Sequence, residues 1–386
     1  MMRTAPPPPA GLYVHVPFCR AKCRYCDFYS SSSVSRVAEW LRALGEEVAL
    51  YRDRFSFFDT LYLGGGTPTL LSERDLDRLM ECLLGNFRFC PDAEITLEAN
   101  PNDVTHERLR VWRELGFNRI SLGVQSMEDK DLEFLGRRHT ARQAALAMEC
   151  IRAAGFPGFG IDLLYGLPGQ TERGWKRTLR EALVFAPQHV SCYQLTVSRG
   201  TPLWEMQEAG ILEPPGEERE RSLFLAASDV LEQQGFFQYE VSNYAGWRNT
   251  GLREPSKENL HVCRHNLKYW ERAPYLGLGP SAHSFQGNTR WWNLRSVEDY
   301  CEALGRGRRP VQGSERLSEE QASLERLSLQ LRTRAGTGVE ASCADEEADR
   351  VLPALLAAGL LEVRGGRTFP TREGLLVADR LPLLFL

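Results

Sequence analysis

Through about the first 200 residues, short β-rich runs alternate with segments of helical period, and this alternation restricts the chain to βα units built round a parallel sheet. Six strands are expected, at 12–16, 60–63, 94–99, 119–124, 158–164 and 189–195. Segments 35–51, 72–84, 105–115, 141–154 and 172–185 carry the helical period, several of them behind a Ser or Thr that suits an N-cap. The expected fold class is α/β, with half or more of a barrel in residues 11–240 and a smaller α+β domain in 241–386. Residues 1–10, which include four consecutive prolines, read as a flexible leader outside the fold.

In architectures of this kind ligands collect at the carboxyl ends of the strands, where loops vary over a rigid sheet. The chemically loaded residues of this chain fall there. Cys19, Cys23 and Cys26 follow the first strand, and Gly64-Gly-Gly-Thr-Pro68 follows the second. Glu98 ends the third, Gln125 follows the fourth, and Asp162 lies within the fifth.

Each feature has more than one reading from the residues alone. Three thiols in one loop suit a soft metal, and three is one fewer than a cubane of four irons needs, which leaves one iron open to a ligand. The other readings are three unrelated thiols, or a structural zinc site with His15, Asp27 or a distant cysteine as fourth ligand, although zinc sites more often show two Cys-x2-Cys knuckles. The glycine run is either a tight turn or a strip where backbone groups approach a ligand closely, with Thr67 adding a hydroxyl. Glu98 and Asp162 need donors if buried; ribose hydroxyls would serve, and so would structural hydrogen bonds. Gln125 and Arg137 complete such a pocket, the guanidinium as a planar fork for a carboxylate, with Arg138 adjacent.

Composition narrows the function classes. The chain has 386 residues, 42% hydrophobic and 25% charged, with a formal net charge of -4, and its basic residues are interspersed with acidic ones. Nucleic acid is therefore not an expected partner. No apolar run approaches the ~18 residues of a membrane span, so the chain is not expected to be membrane-embedded. Ten cysteines, three in one loop and the rest scattered, do not form a disulfide framework, and a cytoplasmic, reducing location is expected.

Several motifs together carry a resemblance. They are Tyr13-Val-His-Val-Pro-Phe-Cys19 with Cys-x3-Cys-x2-Cys, Gly64-Gly-Gly-Thr-Pro68, Leu97-Glu-Ala-Asn-Pro101, Gly123-Val-Gln-Ser126 and Ile161-Asp-Leu-Leu-Tyr-Gly-Leu-Pro-Gly-Gln-Thr171. The chain resembles the radical S-adenosylmethionine (SAM) superfamily, in the branch that holds oxygen-independent coproporphyrinogen III oxidase and, nearer, the HemW haem chaperones. The resemblance implies a partial (β/α)6 TIM-like barrel, a [4Fe-4S] cluster on Cys19, Cys23 and Cys26, and SAM against Tyr13, Gly65, Gly66, Thr67, Glu98, Gln125, Arg137 and Asp162. The oxidase carries a fourth cysteine two residues after the third, where this chain has Phe28. Arg264-His-Asn-Leu-Lys-Tyr-Trp270 contains the His-Asn-x-x-Tyr-Trp motif associated with HemW, and Tyr239-Glu-Val-Ser-Asn-Tyr244 and Gly277-Leu-Gly-Pro-Ser-Ala-His-Ser284 look like that branch too.

The implied function is haem binding and delivery to client haemoproteins, some of which could sit in membranes, with a homodimer as a possible assembly. The alternative is radical oxidative decarboxylation in porphyrin biosynthesis. His265 or Cys263 as iron ligand, with Tyr269 and Trp270 against a porphyrin face, is the candidate haem site; the other reading is a histidine satisfied by its neighbours beside two packed aromatics. Residues 246–262 make a longer, more polar loop than the resemblance implies. The tail, with a helix at 344–358, strands at 360–364 and 367–370 around Gly365-Gly366, and a last helix, has a winged-helix outline. Its mixed charge argues against DNA, and a cover over the barrel mouth or a client-docking surface is expected instead.

Overall fold

The computed structural model describes residues 8–248, 255–338 and 348–385. Six parallel strands run in sequence order through the centre: β1 (Ala10–Val16), β2 (Phe58–Gly65), β3 (Phe89–Ala99), β4 (Arg119–Gln125), β5 (Gly158–Tyr165) and β6 (His189–Gln194). Helices α1 (Val37–Tyr51), α2 (Glu73–Asn86), α3 (His106–Glu114), α4 (Asp129–Leu135), α5 (Ala141–Ala154) and α6 (Glu172–Leu183) lie between them in sequence. The helices start where local chemistry stops them fraying. Ser72, Thr105, Thr140 and Thr171 each accept a hydrogen bond from a backbone N–H of the first turn, and Thr140 and Gln143 form a reciprocal capping box.

Alternation along the strands decides what faces where. Leu12, Val14 and Val16 on β1, Leu61 and Leu63 on β2, Ile120, Leu122 and Val124 on β4, and Ile161 and Leu163 on β5 are all fully buried in one core. Trp40 of α1, Trp112 of α3 and Trp175 of α6 complete that core from the helical layer. Each such side chain stabilises the fold by about 1.5–3 kcal/mol on burial. The intervening residues, Thr60, Tyr62, Thr96, Glu98, Arg119, Ser121, Asp162, His189 and Ser191, take the opposite face and line the inside of the curved sheet.

The expected fold class holds, as a partial barrel that stays open. After α7 (Pro202–Glu208) and α8 (Glu217–Gln233), β7 (Phe236–Gln238) and β8 (Asn243–Gly246) add to the β6 side, with β8 antiparallel to β6. Helix α9 (Arg264–Trp270) follows, then β9 (Tyr275–Leu278), which pairs parallel with β1. β10 (His283–Gln286), β11 (Thr289–Asn293) and, beyond α10 (Val297–Gly305), β12 (Val311–Arg316) extend that side antiparallel. The result is one 12-stranded sheet whose outermost strands, β12 and β7, do not meet. Strand β1 begins at Ala10, inside the segment read as leader, and the sheet continues well past residue 240.

The tail contains α11 (Glu319–Gln330), β13 (Thr337–Gly338), α12 (Ala348–Ala357), β14 (Leu361–Arg364), β15 (Arg367–Pro370) and α13 (Arg372–Leu376). Its small sheet has the order β13-β15-β14, and Leu327, Leu331, Leu355, Leu361 and Leu381 form a separate core. This matches the winged-helix outline; residues 344–347 of the expected helix, with Asp345 and its acidic neighbours, lie outside the described residues. The tail docks on the outer helix α8, where Arg372 pairs with Asp229 at 2.9 Å and with Glu232, and Arg221 pairs with Glu373. None of its described residues lines the cleft at the strand carboxyl ends, so of the two expectations for the tail the described part does not serve as a cover over the barrel mouth, and a docking surface is the one left. No helix among the described residues is long and apolar enough to cross a membrane.

Candidate metal centre and cofactor cleft

At the carboxyl end of β1–β6 a cleft of about 470 Å³ gathers Cys19, Cys23, Cys26, Gly65, Gly66, Thr67, Glu98, Gln125, Arg137 and Asp162. Its size falls in the range of small-molecule pockets. The cysteine loop is tied to the rest of the fold by backbone bonds: Cys19 N donates to Ser31 O (3.1 Å), Arg24 N to Leu135 O (3.1 Å), and Thr67 N to Phe18 O (2.8 Å). The last of these bonds seats the glycine strip against the loop. A Cβ on Gly66 would lie 2.6 Å from Phe18 O, so only glycine lets the two segments approach this closely.

The thiols abut the side chains expected to serve the nucleotide. Cys19 Sγ lies 3.4 Å from Thr67 Oγ1, and Arg137 Nη1 donates to Cys23 Sγ at 3.5 Å. Burial, together with the neighbouring Cys23 and Cys19 thiols, pushes the Cys26 thiol up to about 11. Among the described residues no three His, Cys, Asp or Glu side chains close around a single metal ion. A cubane spreads its thiolates over three separate irons, so three partly exposed cysteines on one loop beside an open cleft fit it better than a zinc site does. All nine described cysteines are free thiols.

Glu98 sits at the end of β3, where Tyr62 OH donates to Oε1 (2.8 Å) and Gly65 N to Oε2 (3.1 Å). Burial raises its carboxyl to about 7 against those two donors, and Asp162 nearby adds to the rise. Asp162 is itself raised, chiefly by burial, and accepts from Ser121 Oγ at 3.4 Å. The two carboxyls therefore face a buried space and remain poised for ligand donors.

Gln125 ends β4 after a register shift, with φ at +67°. Such a conformation is costly for a residue with a side chain, and here it accompanies the arrival of that side chain in the cleft. A Cβ on Gly123 would lie 3.0 Å from Gln125 Nε2 and 3.3 Å from Arg137 Nη2, so this glycine lets both reach the same spot. Arg137 Nη2 also donates to Gly123 O (2.9 Å) and Asn100 Oδ1, while its Nε has no partner among the described residues. Arg138 also borders the cleft, but the arginine bound into this network is Arg137.

Four expected site residues lie elsewhere. Tyr13 does not border the cleft; its ring stacks on Tyr62 at 6.2 Å, and its hydroxyl donates to Nδ1 of His15, whose Nε2 donates to Tyr29 O. His265 is buried beneath the barrel in α9, with one ring nitrogen bonded to Thr60 Oγ1 (2.8 Å) and the other to Tyr269 OH (3.0 Å). Both nitrogens are thus engaged, and His265 as placed offers no free lone pair to iron. Tyr269 packs edge-on to Tyr275, whereas Trp270 joins a different cluster with Tyr239 and Leu267, so the trio does not frame one porphyrin pocket.

The physical role of this motif is a plug. Glu94 of β3 accepts from the backbone N–H of Arg264 (3.2 Å) and of His265 (3.1 Å), and Lys268 pairs with Asp59 at the start of β2. The plug brings Cys263 and Asn266 to the cleft floor. That floor also holds Arg119, Ser121, His189, Ser191 and Tyr193, none of which the motifs singled out. Their signal was available: each is a polar residue at every second position of a buried strand. Of residues 246–262, the stretch 249–254 lies outside the described residues; flanking it, Trp247 bridges to Leu260.

Residues 13–182 match the radical SAM superfamily. Over 97% of this chain and 94% of the other, it is 37% identical to "Heme chaperone HemW" of Mycobacterium tuberculosis. The HemW of Bacillus subtilis is 32% identical over 96% and 97% of the two chains. Among solved structures, coproporphyrinogen III oxidase (HemN) of Escherichia coli shares the fold with a TM-score of 0.83 at 24% identity, over 99% of this chain and 91% of that one.

Proposed function

The chain belongs to the HemW family within the radical SAM superfamily, and from that premise we propose that it is a haem chaperone that binds haem and passes it to client haemoproteins. The family implies a [4Fe-4S] cluster and SAM. In this reading Cys19, Cys23 and Cys26 hold the cluster, and the bound pair supplies one-electron reduction of a sulfonium. Gly65, Gly66 and Thr67 present backbone groups and a hydroxyl to the amino-acid end of SAM. Arg137 offers its guanidinium to the carboxylate, and Glu98 and Asp162 accept ribose hydroxyls beside the Gln125 amide.

The observation that carries the cofactor part is that one cleft collects the three thiols and seven of the eight residues assigned to SAM. The haem part rests on the near-full-length relatives and on Phe28, which is 63% exposed where the oxidase carries its fourth cysteine. The competing reading, oxidative decarboxylation of coproporphyrinogen III, draws on the shared fold and is weakened by Phe28. We take residues 11–240 as the cofactor-bearing part and 241–386 as the part that closes it and meets cargo and clients. A cytoplasmic location and a homodimer are parts of the proposal that the sequence admits.

The test is to reconstitute the protein anaerobically with iron and sulfide, titrate it with haem, and assay it with SAM and coproporphyrinogen III. Stoichiometric haem binding without protoporphyrinogen formation is expected. Turnover to protoporphyrinogen, or no haem complex, overturns the reading.

A further inference from the structure

Phe28 borders two cavities. One is the cofactor cleft; the other, of about 570 Å³, opens on its far side and is lined by Tyr29, Tyr269, Tyr275, His283, Trp292 and Arg295. We propose that this second cavity holds the haem, with His283 as axial ligand, the aromatic side chains as apolar walls and Arg295 facing a propionate. The proposal rests on the haem-chaperone reading above and gives it a site.

Of the two histidines at this cavity, His15 has both ring nitrogens engaged, by Tyr13 OH and Tyr29 O. His283 is exposed, and neither of its ring nitrogens has a partner among the described residues. A neutral imidazole is the ligating form, and although His283 is exposed, the side chains packed round it strip part of its hydration and, with Arg290 nearby, lower its pKa below the ordinary value. Its plane is held without using up a nitrogen. His283 on β10 lies opposite Trp292 on β11, with ring centroids 6.0 Å apart and planes at 23°. Trp292 in turn lies over Gly313 of β12, where a Cβ would come within 2.5 Å of the indole.

The loop before β10 is fixed from inside. Glu47 of α1 accepts from Gly279 N (2.8 Å), from Asn293 Nδ2 (2.6 Å) and from Tyr300 OH (2.6 Å), joining the segments on either side of the cavity. Arg295 forms no ion pair among the described residues and remains available to an anion. A cavity walled largely by aromatic rings, with Asp27, Ser281, Asn293 and Gln312 also on its lining and a free imidazole and a free guanidinium at its edge, has the chemistry of an iron porphyrin dicarboxylate. Phe28 then separates haem from cluster, two residues beyond Cys26.

Haem titration of the anaerobically reconstituted full chain, followed by its Soret band, tests the site. His283→Ala is expected to weaken binding by about tenfold or more, and His283→Cys to move the Soret band to the position of thiolate ligation. Both variants should keep wild-type iron content, because His283 lies outside the cluster loop. His265→Gln should keep the wild-type Soret position. If wild type binds haem while both His283 variants match it in affinity and spectrum, or if only His265→Gln changes the spectrum, this site is wrong and the chaperone reading survives. If wild type binds no haem, the chaperone reading falls and the site with it.

Discussion

The two faces of the six central strands occupy alternate residues of the same segments, yet they are built on opposite rules. The helix-facing set, such as Leu61, Leu97, Ile120 and Ile161, is aliphatic and fully buried. The inner set is polar: Thr96, Arg119 and His189 are buried, Glu98 and Asp162 are half-buried where they face the cleft, and several of its atoms lack partners among the described residues. One face supplies the free energy of folding. The other draws on it to hold groups that a fold alone would not keep.

The sharpest way to break that contrast is to empty the rim. Replacing Cys19, Cys23 and Cys26 together by alanine should abolish iron incorporation, read by iron assay and visible absorption, while the far-ultraviolet dichroism stays native. Loss of the fold along with the iron would mean that the rim is structural after all.

Next in size is a matched pair across β2 and β4. Leu61→Ala on the helix face should destabilise by about 2–5 kcal/mol in urea unfolding. Ser121→Ala on the inner face should cost under about 1.5 kcal/mol. Equal losses would erase the distinction between the faces.

Acidity sharpens it further. Burial raises the Glu98 carboxyl to about 7, and in the proposed reading its carboxylate is the form that accepts ribose hydroxyls. SAM affinity measured by equilibrium dialysis should therefore rise about tenfold from pH 6 to pH 8, as Glu98 ionises. Glu98→Gln should flatten that rise; an unchanged profile would assign the titration to another group. The smallest effect belongs to Thr96, whose buried Oγ1 has no partner among the described residues. Thr96→Val should leave stability unchanged or raise it by up to about 1 kcal/mol.

Much of this was readable from residue order. Strand periodicity located all six central strands, though β3 begins at Phe89, five residues before the expected start, and the rim residues fell at their ends because a parallel βα unit leaves nowhere else for variable loops. What local patterning could not carry was pairing between distant segments. Nothing near residue 275 announces that β9 will lie beside β1, or that β8 will lie beside β6. His265 shows a different limit. Its motif was legible as a motif, but whether its ring nitrogens are free depends on Thr60 and Tyr269 and on Glu94 capping α9, contacts that appear only once the barrel is assembled. Arg119 and His189 were missed because no motif marks them, although strand alternation alone would have turned them inward.

The parallel pairing of β1 with β9 also sets a timetable. Leu12 meets Leu276 across that ladder, so the strand that leads into the cysteine loop leaves the ribosome roughly ten seconds to a minute before its neighbour exists. Until then one margin of β1 is bare, and the thiols hang from an unfinished edge. A cluster held by Cys19, Cys23 and Cys26 would meet a settled scaffold only once β9 is in place.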